Sequence, residues 1–275
     1  MQPALIDIKK EIVSAIQNDD LVLPTMPEVA IRLREAAEDE NADAASIAAV
    51  IGSDAALSAR IIKVANSPLV RGVQTVQDLQ MAISRMGIAY TANLATGIAM
   101  EQLFQATSDA VDQRMRETWE HSTEVASLSH VLCAHFTDLS PDKAALAGLI
   151  HEIGVLPILA WADDQDWDPR LIESVCKELH PELGCMILEA WDFPKELTNV
   201  PLSYTEFTRV SKAADYVDIV MVANLHSHSG TEHPFAKMDW TGVHAFDNLG
   251  MNVDIIFAEN EELSNEVSAA KNILN

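Results

Sequence analysis

The stretch ALAGLIHEIGVLPIL, residues 145–159, decides the fold. It lies within the most apolar long run of the chain, residues 144–162. A run of that length approaches a bilayer span, but His151, Glu152 and Pro157 interrupt it, and a lipid-facing helix seldom tolerates that combination. The run therefore predicts a buried helix over residues 142–160, in a protein with no membrane segment. Adjacent ionisable groups at the centre of an apolar helix are costly unless a partner or a metal ion takes them up. His151-Glu152 is thus the first candidate for chemistry.

Outward from this run the apolar residues recur at spacings of three and four rather than two, which predicts an all-α fold. Leu5, Ile8, Ile12 and Ile16 stripe a first helix that ends near Asn18. A second starts near Pro27 and carries Val29, Leu33 and Ala37. Residues 44–65 divide at Ser53-Asp54, where Asp54 can accept hydrogen bonds from the opening N–H groups of a new helix. Asn66-Ser67-Pro68 stops that helix, because Pro68 lacks an N–H and biases Ser67 away from helical angles. Thr75-Val76-Gln77-Asp78 resembles a capping box with Asp in its last place, opening a helix through Leu79, Ala82, Ile83 and Met86 to Gly87. Another apolar-striped helix follows over 88–104. Further helices are expected over 113–136, 142–160, 170–190, 194–199, 206–229 and 253–273. The polar stretch 105–113 is the expected hinge. The resulting organisation is an N-terminal helix (1–20), a helical lobe (21–110), a helical bundle (111–230) and an extension ending in a helix (231–275).

The 275 residues carry 18 Lys+Arg against 42 Asp+Glu, a formal charge of −24, and 48% are hydrophobic. The apolar fraction is that of a folded protein despite the charge. Carboxylates outnumber basic groups more than two to one, which argues against a nucleic-acid partner and favours one with a basic surface. The N-terminus lacks the pattern of a signal peptide, and Cys133, Cys176 and Cys185 show no CxxC spacing, so a cytoplasmic protein with core thiols is expected.

His121 shares a helix face with Val125, Leu128 and Leu132, so its imidazole is expected to face inward, as a ligand or as a core histidine bonded to a carbonyl. His180 precedes Pro181 in HPELGCMILEAW and reads as the opening of a helix, with Gly184 permitting close packing. His226, His228 and His233 cluster late in the chain and read either as solvated loop histidines or as ligands gathered round an ion. Asp164-x-Asp166-x-Asp168 imitates a calcium loop, but Pro169 and Val175 stand where Gly and Glu are needed. Trp161, Trp167 and Trp191 are expected to be packing anchors near lobe contacts. No GxSxG, Walker or GxGxxG sequence is present.

LPTMPEVAIRL, IAAVIGSDAALSARIIKVANSP and VQTVQDLQMAISRMGI, followed by WEHSTEVA, LAGLIHEIG, HPELGCMILEAWDFP and DIVMVANLHS, closely resemble the successive motifs of the HDOD domain, over roughly residues 20–230. That domain is a helical relative of the HD phosphohydrolases found in bacterial signalling proteins. The resemblance implies a helical lobe packed on an HD-like bundle that is built around a metal centre. Residue by residue, the first histidine of the HD superfamily matches His121, the HD doublet matches His151-Glu152, and the HPxxG histidine of the related HD-GYP group matches His180. The late Asp ligand falls at Ala223-Asn224, and the HH pair of HD-GYP enzymes has no counterpart around Leu202-Ser203-Tyr204.

These departures have physical weight. A divalent ion wants anionic oxygens, and Asn224 offers only a neutral carbonyl. Glu in place of Asp moves the carboxylate by about 1.5 Å. The resemblance therefore implies a degenerate site of His121, His151, Glu152, His180 and Asn224, holding at most one weakly bound divalent ion (Fe, Mn, Zn or Ni) and no other cofactor. It implies a signalling module that works through a protein partner, with homo-oligomerisation open. The alternative is a metal-dependent phosphohydrolase using His121, His151, Glu152 and His180, with Glu152 as the candidate base.

Overall fold

The computed structural model describes residues 5–18, 20–67, 70, 74–104, 109–165, 167–253 and 261–274. Pro68, residues 105–108, Asp166 and residues 254–260 lie outside them. All regular structure among the described residues is helical. The first part of the chain forms α1 (Leu5–Gln17), α2 (Glu28–Glu38), α3 (Ala44–Ile51), α4 (Ala55–Ala65), α5 (Leu79–Met86), α6 (Ile88–Met100) and a 3-10 turn, Glu101–Leu103. The second forms α7 (Asp109–Phe136), α8 (Pro141–Ile150), α9 (Val155–Asp164), α10 (Pro169–Ala190), α11 (Lys195–Thr198), α12 (Val200–Ser203) and α13 (Tyr216–Ser227). Two short helices, α14 (Pro234–Lys237) and α15 (His244–Asn248), precede α16 (Glu261–Leu274).

Local chemistry sets the breaks. Asp54 caps α4 by accepting from the N–H groups of Ala56 (2.9 Å) and Leu57 (3.0 Å). Asp78 caps α5 through Met81 N–H at 2.8 Å, so Asp78 is itself the cap rather than the end of a box opened by Thr75. Gly87, at φ +89°, closes α5 in a conformation that a side chain would strain. Three further sequence expectations are corrected. The helix expected over 206–229 begins only at Tyr216, where Asp215 caps Asp218 N–H at 3.0 Å; Arg209 holds the preceding loop by pairing with Asp215 and with buried Asp218. The helix expected over 142–160 is two helices, α8 and α9, with His151-Glu152 in the turn between them. Pro157 falls in the first turn of α9, where its missing N–H costs nothing. His180, expected to open a helix, lies in the middle of α10, which continues through Pro181.

Helices α2 to α5 gather around α6, with Leu33, Ile47, Ile51, Ile61 and Ile83 almost fully buried. Each such side chain contributes about 1.5–3 kcal/mol relative to an exposed one. The opposite face of α6 lies on α8, which also packs against the long α7; α13 covers both α7 and α8, and α16 lies along α7. Among the described residues one helical stretch, Pro141–Asp163, is long and apolar enough to cross a membrane, and 78% of its most apolar window is buried as core.

The two groups of helices are also clasped at the end of α10. Arg34 of α2 donates to the carbonyls of Trp191 (2.6 Å) and Asp192 (2.8 Å) and sits 4.6 Å from the Phe193 ring centre, while Trp191 Nε1 donates to Pro24 O at 3.0 Å. A cation from one lobe thereby satisfies carbonyls just past the C-terminus of a helix in the other. Trp191 is the packing anchor expected from the sequence.

Candidate metal centre

Two glycines bring the site helices together. A Cβ on Gly148 would lie 2.5 Å from Ala126 Cα, and one on Gly154 would lie 2.0 Å from His180 O and 2.4 Å from Gly184 N. Only glycine permits these backbone-to-backbone approaches, which set α8 against α7 and the turn after α8 against α10. As a result His121 from α7 and His151 and Glu152 from the turn converge, with their possible ligand atoms all within 4.8 Å of one another. The rings of His121 and His151 meet edge to face at 5.3 Å.

The protonation pattern follows from the hydrogen bonds. His151 Nδ1 faces Gly148 O at 2.7 Å, and a carbonyl can only accept, so Nδ1 carries the proton and Nε2 keeps its lone pair. That Nε2 is buried with no hydrogen-bond partner among the described residues. Burial pushes the His151 imidazole down to about 4 against the pull of the Glu152 charge, so it is neutral at pH 7. Burial alone would raise the Glu152 carboxyl, but His121, His151 and His180 around it hold it down to about 2. A bare imidazole nitrogen aimed at an anionic carboxylate and a second imidazole is a donor set that fits one divalent ion.

The set is also thin. Asn224 is 1% exposed on α13, and its Oδ1 lies 3.1 Å from His121 Nε2, so it supports that ring without supplying charge. Its Nδ2 is buried without a partner among the described residues, a cost that a carboxylate at this position would not carry. His180 uses both ring nitrogens elsewhere, Nδ1 on Cys176 O at 2.7 Å and Nε2 on the Tyr204 hydroxyl at 2.9 Å.

The late histidines divide. His226 is buried between Trp240 and Phe246, and burial lowers it to about 4. His228 stacks on His121 with ring centres 5.0 Å apart, and His233 stacks on His228 at 3.8 Å. His233 Nδ1 in turn accepts from Phe235 N–H, capping α14. These rings form a ladder leading away from the centre rather than a separate ligand cluster. Asp168 serves as the cap of α10 through Arg170 N–H at 2.8 Å. Sequence reasoning missed Tyr204, whose hydroxyl also lies 3.5 Å from Glu152 Oε1 and whose ring stands edge-on to His151 at 4.8 Å. Burial, then the charge of Glu152, raises that phenol well above its ordinary range, so it remains a donor.

A helical lobe clasped to a helical bundle with a degenerate His/His/Glu centre defines an HD-type module in which the metal site is incomplete. The chain belongs to the HDOD domain family, which matches residues 23–206. A candidate metal-dependent phosphohydrolase from Shewanella amazonensis SB2B, of solved structure, is 27% identical, with a TM-score of 0.85 over 98% of this chain and 99% of that one. An HDOD domain protein of unknown function from Geobacter sulfurreducens shares the fold at 20% identity and a TM-score of 0.70, over 98% of this chain and 99% of its own. An uncharacterized protein of Treponema pallidum (strain Nichols) is 20% identical over 194 residues, and the match covers 64% of this chain but only 36% of that relative. Fold and family are those of an HDOD domain, with a three-residue His/His/Glu cluster where its helices meet.

Proposed function

We propose that this protein is a regulatory HDOD module that holds at most one divalent ion, weakly, at His121, His151 and Glu152, and that acts by docking a signalling protein. The observation that carries this reading is the charge of the donor set. Two imidazoles and one carboxylate offer a dication a single negative charge, and Asn224 adds none. Two-ion hydrolysis clamps the attacking and leaving oxygens between cations about 4 Å apart, which needs more anionic oxygen than these residues provide. A partner with a basic surface suits the net charge of −24, and binding to it should weaken steeply with added salt.

A second reading is favoured by the unpartnered Nε2 of His151 and by the similarity to the Shewanella protein. Here the centre acts as a metal-dependent phosphohydrolase. His121 and His151 would hold the ion, which would supply Lewis acidity toward a phosphoester, Glu152 would serve as ligand or base, and Asn224 would orient His121. The two readings separate on one preparation. Protein purified without a histidine tag is analysed for Fe, Mn, Zn and Ni, then assayed on generic phosphodiesters and cyclic dinucleotides with and without added metal. Stoichiometric metal, with turnover lost in His151→Ala, would establish the enzyme. Substoichiometric metal and no turnover supports the regulatory module.

A further inference from the structure

We propose that Tyr204 is a positioning residue that withholds His180 from the metal centre and so sets its ligand count at three; this rests on the reading of His121, His151 and Glu152 as a weak one-ion site. The placement of one oxygen carries it. The Tyr204 hydroxyl stands between two groups able to bind a cation, 2.9 Å from His180 Nε2 and 3.5 Å from Glu152 Oε1. Because His180 Nδ1 faces the Cys176 carbonyl, its proton sits on Nδ1 and the lone pair sits on Nε2. The phenol has one proton, and the shorter contact shows where it goes: the O–H donates to Nε2 and occupies the lone pair a metal ion would need. His180 is 6% exposed and Tyr204 3%, so the bond is shielded from bulk solvent.

Two sign-opposed outcomes follow for Tyr204→Phe. The ring stays, with its edge contacts to His151 and His180, and the variant should fold. If Tyr204 blocks a ligand, removal of its oxygen frees Nε2 beside Glu152 and metal affinity rises. If Tyr204 only steadies Glu152, affinity falls.

The experiment titrates Co²⁺ and Zn²⁺ into metal-free wild type, Tyr204→Phe and the double variant Tyr204→Phe/His180→Ala, by calorimetry and by the visible spectrum of bound Co²⁺. The expected result is about 10-fold tighter binding in Tyr204→Phe, within the range by which surrounding groups tune metal sites. A changed Co²⁺ band pattern should mark the added nitrogen, and both effects should vanish in the double variant. Unchanged or weaker binding in Tyr204→Phe, or a gain that survives loss of His180, overturns the proposal. The underlying reading fails separately, if wild type binds the ion equally well with and without His151→Ala.

Discussion

Replacing Asn224 with Asp adds the charge that the centre lacks while keeping the shape of the side chain. In wild type the donor set carries about −1 against a dication; in Asn224→Asp it carries about −2, and the sum with the ion is zero. Without metal the new carboxylate is buried at a position 1% exposed, where the described partner is the His121 N–H. A poorly paired buried group costs about 1–3 kcal/mol, and each kcal/mol lowers the melting temperature of a chain this size by about 2–4 °C. The metal-free variant should therefore melt several degrees below wild type. With metal the sign reverses, because the buried charge becomes a ligand, and affinity for Mn²⁺ or Zn²⁺ should rise about 10- to 100-fold, or 1.4–2.8 kcal/mol. Calorimetric titration gives the affinity, and melts in chelator and in excess ion give the two stabilities. Equal affinities in variant and wild type, or a metal-free variant as stable as wild type, would refute the view that missing charge makes the site weak.

Gly154→Ala would force a Cβ to within 2.0 Å of a carbonyl on α10, and the backbone on both sides must move. It should cost at least ~3 kcal/mol and about 6 °C or more in melting temperature, and a melt within 2 °C of wild type would contradict the packing described. Arg34→Ala removes two charge-assisted hydrogen bonds and the stacking on Phe193, so amide exchange at residues 191–193 should accelerate and stability should fall by about 1–3 kcal/mol, measured by hydrogen exchange and denaturant titration. Burial lowers His226 from 6.5 to about 4, so below pH 6.5 the unfolded chain takes a proton that the folded chain refuses. Stability should therefore fall as pH drops from 6.5 to 4, at up to about 1.4 kcal/mol per unit from this group, and urea titrations across that range should show a shallower fall in His226→Gln.

The helical class and the pairing of His121 with His151-Glu152 were legible because both rest on short-range pattern. Apolar spacing marks helix faces, and an ionisable doublet in an apolar run needs company. The break at His151 was harder to see. Gly154 and Pro157 are its only local marks, and the reason glycine is needed, the carbonyl of His180 at 2.0 Å from a Cβ, lies 26 positions further on. The late start of α13 had even less local signal, since the Arg209 ion pairs that hold residues 205–215 in place form only in the folded chain. Tyr204 has no local mark in VPLSYTEF, a stretch without histidines. A phenol announces nothing until an imidazole acceptor and a carboxylate are seen on either side of it.

The shape of the centre and its chemistry are held by different forces, and this explains how one can persist while the other thins. The cavity walls are fixed by backbone contacts, Gly148 against Ala126 and Gly154 against His180 and Gly184, and by the apolar side chains of α7, α8 and α13 packed behind them. None of these contacts involves a ligand atom, so they do not depend on whether position 224 carries an amide or a carboxylate. His151 stays neutral, Nε2 of His180 is taken by a phenol, and the His121 ring is supported on an amide and stacked on His228. The Tyr204 hydroxyl satisfies the buried Nε2 of His180 while its ring fills the space beside His151, so the same residue that engages a possible ligand atom also completes the packing.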